Sequence, residues 1–169
     1  MQYPLLVVIH ETLISAEQSK LLHADPEYYG SYHALIERSG NITYLVPAEH
    51  KAFAASVSSY TNSFGEVEQI NGSVDDFAYH IALETPPDGI QYNSREYHTG
   101  YTIEQYQSLA WLCAATGVQQ DRITTHGEIT SPKRLEPRCL NYDYFYNLYS
   151  TQHSLGRKLL DFGVLEYVS

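Results

Sequence analysis

Apolar and polar positions along the chain alternate with two different periods, and the switches between them outline the elements. Leu5–His10 is a short, β-rich apolar run that predicts a buried strand ending in a polar residue. Ser15-Ala16-Glu17-Gln18 has the spacing of a capping box, so a short helix is expected through Leu22. Asp25-Pro26 and Gly30 mark a loop. Tyr32–Glu37 and Ile42–Val46 flank Arg38-Ser39-Gly40-Asn41 and predict a β-hairpin. From Glu49 to Asp76, small residues, serines and scattered glycines predict irregular structure. Ala78–Glu84 reads as a strand that Pro86-Pro87-Asp88-Gly89 ends, and residues 85–100 as a surface loop. A second capping box at Thr102–Gln105 opens a helix in which Ile103, Tyr106, Ala110 and Cys113 recur at helical spacing, with Gly117 as its stop. Arg122–His126 is extended, followed by a Pro-containing loop to Asn141, a short Tyr-rich helix near Asp143–Tyr149, and a tail. Strands alternating with helices, one hairpin included, predict an α/β or α+β sheet covered by helices.

Length and composition narrow this picture to one domain. A chain of 169 residues buries one good core and is short for two. The hydrophobic fraction of 43% and aromatic fraction of 13% place it among compact globular proteins, since disordered chains are poorer in aromatics and richer in charge. A formal net charge of -10, with 20 acidic against 10 basic residues, argues against nucleic acid and anionic membrane as partners, because both are bound through basic patches. Lys133-Arg134 is too small a cluster to change that. Cys113 and Cys139 are too few to form a disulfide scaffold. The first ten residues carry no basic region and no small-residue cleavage site, and their apolar run is too short for a bilayer. A soluble, cytoplasmic, monomeric protein is the expectation.

Among eight histidines, His10 and His126 each end a predicted strand and open into a loop, where sites are commonly built. A catalytic zinc takes three protein ligands and keeps one position open for water. Two histidines and a carboxylate would satisfy it, and Glu136 lies in the loop after His126. Spacing alone makes no compact metal motif of these residues.

A longer set of segments carries a resemblance. Val8-Ile9-His10, the run Ser31-Tyr32-His33-Ala34-Leu35-Ile36-Glu37-Arg38-Ser39-Gly40-Asn41-Ile42 with Tyr44-Leu45-Val46-Pro47, and His80-Ile81-Ala82-Leu83-Glu84 occur in that order. Tyr101-Thr102, Gln105-Tyr106, Leu109-Ala110-Trp111-Leu112 and Asp121-Arg122-Ile123-Thr124-Thr125-His126-Gly127-Glu128-Ile129 follow. This ordered set, over roughly residues 5 to 150, resembles the zinc amidases that cut N-acetylmuramoyl-L-alanine, a family that includes peptidoglycan recognition proteins, muropeptide-recycling amidases and phage endolysins.

The resemblance implies a single α/β domain over residues 1–169, with a central mixed β-sheet flanked by helices and residues 151–169 as a C-terminal tail. It implies Zn2+ held by His10 and His126. The family's third ligand is an Asp or Cys after the second histidine, in recycling-type members an Asp before a proline ten residues on. Glu136, followed by Pro137, stands at that position, with Cys139 as the alternative. Glu84 is implied as general base, Tyr32 as a site tyrosine, and Arg134 as the cation where recycling-type members place a lysine, with Lys133 able to substitute. The chain departs from the family where Ala54 replaces a site histidine of many relatives, and Tyr60–Phe77 follows no simple family pattern. The implied partners are peptidoglycan fragments (muropeptides), with a role on soluble muropeptides or as a phage lysin expected rather than that of a surface-anchored wall enzyme. A non-catalytic peptidoglycan-binding module of the same fold and a zinc hydrolase of another amide are the rival readings.

His33 and His80 have blander readings beside these. His33 reads as a satisfied structural histidine, and His80 as either a residue supporting the site or a hydrogen-bonded core histidine. Glu128 reads as a structural acid. The 16 tyrosines need no sugar ligand to explain them, since packing accounts for most buried tyrosine.

Overall fold

The computed structural model describes residues 5–25, 27–90, 97–130 and 134–161, with side chains up to residue 155. The elements in chain order are β1 (Leu6–Glu11), α1 (Ala16–Ala24), β2 (Ala34–Ile36), β3 (Ile42–Tyr44), β4 (Tyr60–Thr61), β5 (Val67–Glu68) and β6 (Ala78–Leu83). They are followed by α2 (Ile103–Ala115), β7 (Ile123–Thr125), α3 (His126–Ile129) and α4 (Tyr142–Asp161). The main sheet has the order β3-β2-β6-β1-β7. Its β2, β6, β1 and β7 run parallel, and β3 is antiparallel at one edge. The mixed sheet flanked by helices is the architecture expected.

Both faces of the sheet are covered, which is why β1 and β6 read as continuous apolar runs. Val7, Ile9, Ile36, Ile81 and Leu83 pack on one face against Tyr106, Leu109 and Cys113 of α2 and Phe145 and Tyr149 of α4. On the other face Leu6, Val8 and Ala78 meet Ala55, Tyr60, Val74, Phe77 and Ile129. Toward the strand ends Leu35 and Ala82 meet Ala16 of α1.

Both expected capping boxes form. The Ser15 hydroxyl accepts from Gln18 N, and the Gln18 amide returns to Ser15 N. Gln105 repeats this at Thr102 and also donates its buried Nε2 to the carbonyls of Ile36 and Glu84, at 3.3 and 3.0 Å. The cap of α2 is therefore also a tie to the sheet.

Three expectations need correction. The Glu49–Asp76 stretch is not wholly irregular: Tyr60–Thr61 and Val67–Glu68 pair as a small antiparallel hairpin, held by Asn62 accepting from the amides of Phe64 and Glu66. The last strand stops at Thr125, and His126 opens a one-turn helix. The Glu128 carboxylate turns the chain there by accepting from Thr125 N and the Thr124 hydroxyl. Finally, α4 does not end near Tyr149 but runs on to Asp161. Residues 150–154 lack apolar periodicity, but no Pro follows Tyr149 and the helix runs through Gly156, a single glycine costing only about 1 kcal/mol relative to Ala.

Candidate metal centre and active site

Ile9 of β1 pairs with Thr125 of β7. The next residue of each chain segment, His10 and His126, therefore emerge side by side at the carboxyl ends of parallel strands, where open α/β sheets bind ligands. Their ring centroids lie 4.6 Å apart.

Glu136 reaches them from the following loop. The Gly127 amide donates to the Glu136 carbonyl at 2.8 Å, and the carboxylate Oε1 lies 3.3 Å from His126 Nδ1. This approach requires glycine at 127: a Cβ there would meet the Arg134 carbonyl at 2.6 Å and the Glu136 carbonyl at 3.2 Å. The Arg134 guanidinium, half exposed, stands 3.7 Å from the same Oε1. The Tyr32 ring packs 5.3 Å from that of His10. Burial pushes the Tyr32 phenol pKa well up, the negative charge of Glu136 adds to this, and Arg134 opposes it. Tyr32 is thus a hydroxyl donor at neutral pH. Five of the six anticipated site residues therefore share one neighbourhood.

Both ring nitrogens of His126 are buried without a hydrogen-bond partner. Buried polar atoms are nearly always paired, so an orphaned imidazole needs a partner of another kind. Burial, then the neighbouring His80 and His126 rings, hold His10 well below the usual imidazole range, in the neutral form that ligates metals. Two imidazoles and a carboxylate are a zinc donor set. Among the described residues, no three His, Cys, Asp or Glu side chains stand closed around an ion position. The fit to zinc lies in donor type and in the orphaned nitrogens of His126.

Glu84 is the sixth residue. It directly follows β6, but its oxygens are engaged with backbone, Oε1 accepting from Ala16 N at 2.9 Å and Oε2 from Arg38 N at 2.8 Å. Its hydrogen bonds thus join α1 to the hairpin turn and do not reach the histidines. Cys139 has a positive φ of 56°, and its Sγ accepts from His98 N at 3.3 Å, while Glu136 is the one beside His126. Lys133 lies outside the described residues.

The remaining buried histidines divide cleanly. His33 Nδ1 accepts from His80 N at 2.9 Å and its Nε2 donates to the His50 carbonyl at 3.0 Å. Burial lowers its pKa to about 4, against the raising effect of that carbonyl. It is a satisfied structural histidine, as expected. His80 instead faces the site, with Nδ1 2.9 Å from His10 Nε2. Asp75 Oδ1 lies 3.2 Å from His80 Nε2, as an ionic contact rather than an aligned hydrogen bond. Burial alone would raise the Asp75 pKa, but the His80 ring and the Ala55 amide outweigh it and hold the carboxyl below its ordinary value.

On the opposite face of β1 stands a group of residues that the sequence did not single out. Glu11, fully buried, accepts from the Arg138 amide at 3.0 Å, from Arg138 Nε at 3.1 Å and Nη2 at 2.5 Å, and from the Thr85 hydroxyl at 3.1 Å. The pair anchors the loop carrying Glu136 to the end of β1. A charged residue directly after an apolar strand was its only sequence signal. Gly127 and Asp75 gave still less, since the reasons for both are long-range approaches.

Residues 1–139 match the sequence pattern of the N-acetylmuramoyl-L-alanine amidase family. No curated protein matches the chain. Among solved structures, a selenomethionine derivative of AmpD is 26% identical, with a TM-score of 0.64, covering 86% of this chain and 84% of its own. The solution structure of Citrobacter freundii AmpD is 24% identical, with a TM-score of 0.58, covering 89% and 84%. The amidase AmiD from E. coli, solved with anhydro-N-acetylmuramic acid-L-Ala-D-gamma-Glu-L-Lys, is 20% identical, with a TM-score of 0.68; the match covers 86% of this chain and 58% of that one.

Proposed function

The chain belongs to the N-acetylmuramoyl-L-alanine amidase family, and from that premise we propose that it hydrolyses the amide between N-acetylmuramic acid and L-alanine in muropeptides, with zinc held by His10, His126 and Glu136. The observation that carries this reading is His126, buried with two orphaned ring nitrogens, beside the Glu136 carboxylate and the His10 ring. The ligands named in the AmiD complex, a muramyl peptide, support the substrate class.

Bound zinc would supply Lewis acidity to the scissile carbonyl and to the attacking water. The chain supplies the rest. The Tyr32 hydroxyl, kept protonated by burial, donates to the oxygen on which negative charge develops. Arg134 offers a permanent cation at the open side of the site. Glu84 takes the proton of the attacking water and returns it to the leaving amine. Each of its oxygens spends one lone pair on a backbone amide and keeps another for this step. Those two bonds also favour a second reading of Glu84, as a strut between α1 and the hairpin.

The test pairs zinc content with cleavage of a purified muramyl-tripeptide, for the wild-type protein and Glu136→Ala. About one zinc per chain and release of free peptide, both lost in the variant, are expected. Zinc without cleavage of any muropeptide would instead mark a peptidoglycan-binding module. Absence of both in the wild type would overturn the enzyme reading. For Glu84, a Glu84→Gln variant that melts like wild type but does not cleave supports the base, and one that cleaves normally overturns it.

A further inference from the structure

We infer that Asp75 and His80 form a buried relay that fixes the tautomer of His10, holding the proton on Nε2 and leaving Nδ1 as its metal-binding nitrogen. The inference rests on the proposed metal role of His10.

The geometry is a line of three side chains, all but excluded from solvent: Asp75 is 4%, His80 0% and His10 1% exposed. His80 Nδ1 and His10 Nε2 are 2.9 Å apart, so one of the two carries the shared hydrogen. Neutral imidazole holds a single N–H. The Asp75 carboxylate, in ionic contact 3.2 Å from His80 Nε2, favours by its charge the tautomer with the His80 hydrogen on that nitrogen. Nδ1 of His80 is then an acceptor, and His10 must donate from Nε2. Metal-ligating histidines are commonly fixed in this way, by a hydrogen bond from the ring nitrogen that does not bind.

The relay is itself held in place. Asp75 Oδ1 accepts from Ala55 N at 2.9 Å, its own amide donates to the Ser73 hydroxyl at 3.1 Å, and the His80 amide donates to His33 Nδ1 at 2.9 Å. The His33 and His80 rings stack with an interplanar angle of 8° and centroids 5.8 Å apart. Rotation of His80 away from His10 is therefore blocked by packing and by the charge of Asp75. Asp75 and His80 are positioning residues, since they reach the proposed site only through His10.

The test uses His80→Leu, which removes the acceptor at similar bulk, and His80→Asn, whose side-chain carbonyl restores one near the Nδ1 position. Asp75→Asn removes the charge. Zinc affinity is read by competition with a chromophoric chelator, and the His10 tautomer by 15N chemical shifts in metal-free protein. His80→Leu is expected to weaken zinc binding by about 10–100-fold and to mix the His10 tautomers. Asp75→Asn is expected to act in the same direction with a smaller effect, and His80→Asn to recover most of the loss. Wild-type affinity together with an unchanged Nε2–H tautomer in His80→Leu would overturn the relay. So would a His80→Asn variant no better than His80→Leu, which would assign the effect to packing. If His80→Leu does not fold, Asp75→Asn and His80→Asn carry the comparison. Wild-type protein that takes up no zinc would overturn the metal reading instead, while the tautomer in metal-free protein still decides the relay.

Discussion

His10 and Glu11 are neighbours at the end of one strand, and they face two polar clusters on opposite sides of the sheet. Both are buried, at 1% exposure each. Around Glu11 the carboxylate is fully engaged, with Arg138 and Thr85 filling its acceptor positions. Beside it His98 has one nitrogen bonded and the other, Nε2, held only by ionic contact with Glu11 at 3.4 Å, whereas across the sheet His126 beside His10 has no hydrogen-bond partner on either nitrogen. The contrast separates a cluster that holds the fold from one arranged for something the chain does not itself provide. The two meet in one loop, where Glu136 faces the histidines and Arg138, two residues on, grips Glu11.

The largest effect expected is on activity alone. His126→Ala should lower muropeptide cleavage by more than the roughly 100-fold that outer-shell partners of a metal cost. Its metal-free melting temperature should stay close to wild type, because no hydrogen bond is lost. A large drop in melting temperature would break the comparison by showing that the histidine side also holds the fold. Glu11→Gln should do the reverse. Weakening a buried pair so that Arg138 keeps an uncompensated charge costs about 3–5 kcal/mol, read as a shift of the urea unfolding midpoint.

A third expectation concerns pH. Burial lowers the His33 pKa in the folded protein to about 4, against 6.5 for a free imidazole. Between these values the unfolded chain binds a proton that the native protein does not, so stability rises with pH across that window and is lost as pH falls from 6.5 toward 4. The contribution is about 3 kcal/mol over the full span. Urea unfolding of wild type and His33→Asn at pH 4.5 and 7 would show it, and an equal slope in the two proteins would exclude His33 as its source. The smallest effect is that of Gly127→Ala. Its Cβ would press on the Arg134 carbonyl, costing about 1–3 kcal/mol. Zinc uptake should fall with it, since the displaced loop carries Glu136; undiminished uptake would show that Glu136 is not held by this approach.

These residues also show what could be read in the sequence. The parallel strands were legible because burial on both faces leaves continuous apolar runs, and α1 and α2 because their capping boxes are local. The one-turn helix at His126 is hidden in the sequence although Thr125 and Glu128 carry the same capping-box spacing, because the strand before it dominates the pattern. His10, His126 and Glu136 were picked out by strand ends and by family order. Asp75 was not, since it lies in a stretch without periodicity and meets its partners through tertiary contacts alone. Arg138 was masked by its distance from Glu11, 127 positions apart in the chain.

Gln105 bears on how the protein comes apart. The same amide group starts α2 and bonds to the carbonyls of Ile36 and Glu84 on two adjacent strands. The first turn of that helix therefore cannot fray without releasing the ends of β2 and β6, and those ends cannot separate without uncapping the helix. Amide hydrogens in the first turns of α2 and along the β2–β6 seam should exchange with solvent in a single opening event, making this corner of the molecule one cooperative unit although its parts lie almost seventy residues apart in the chain.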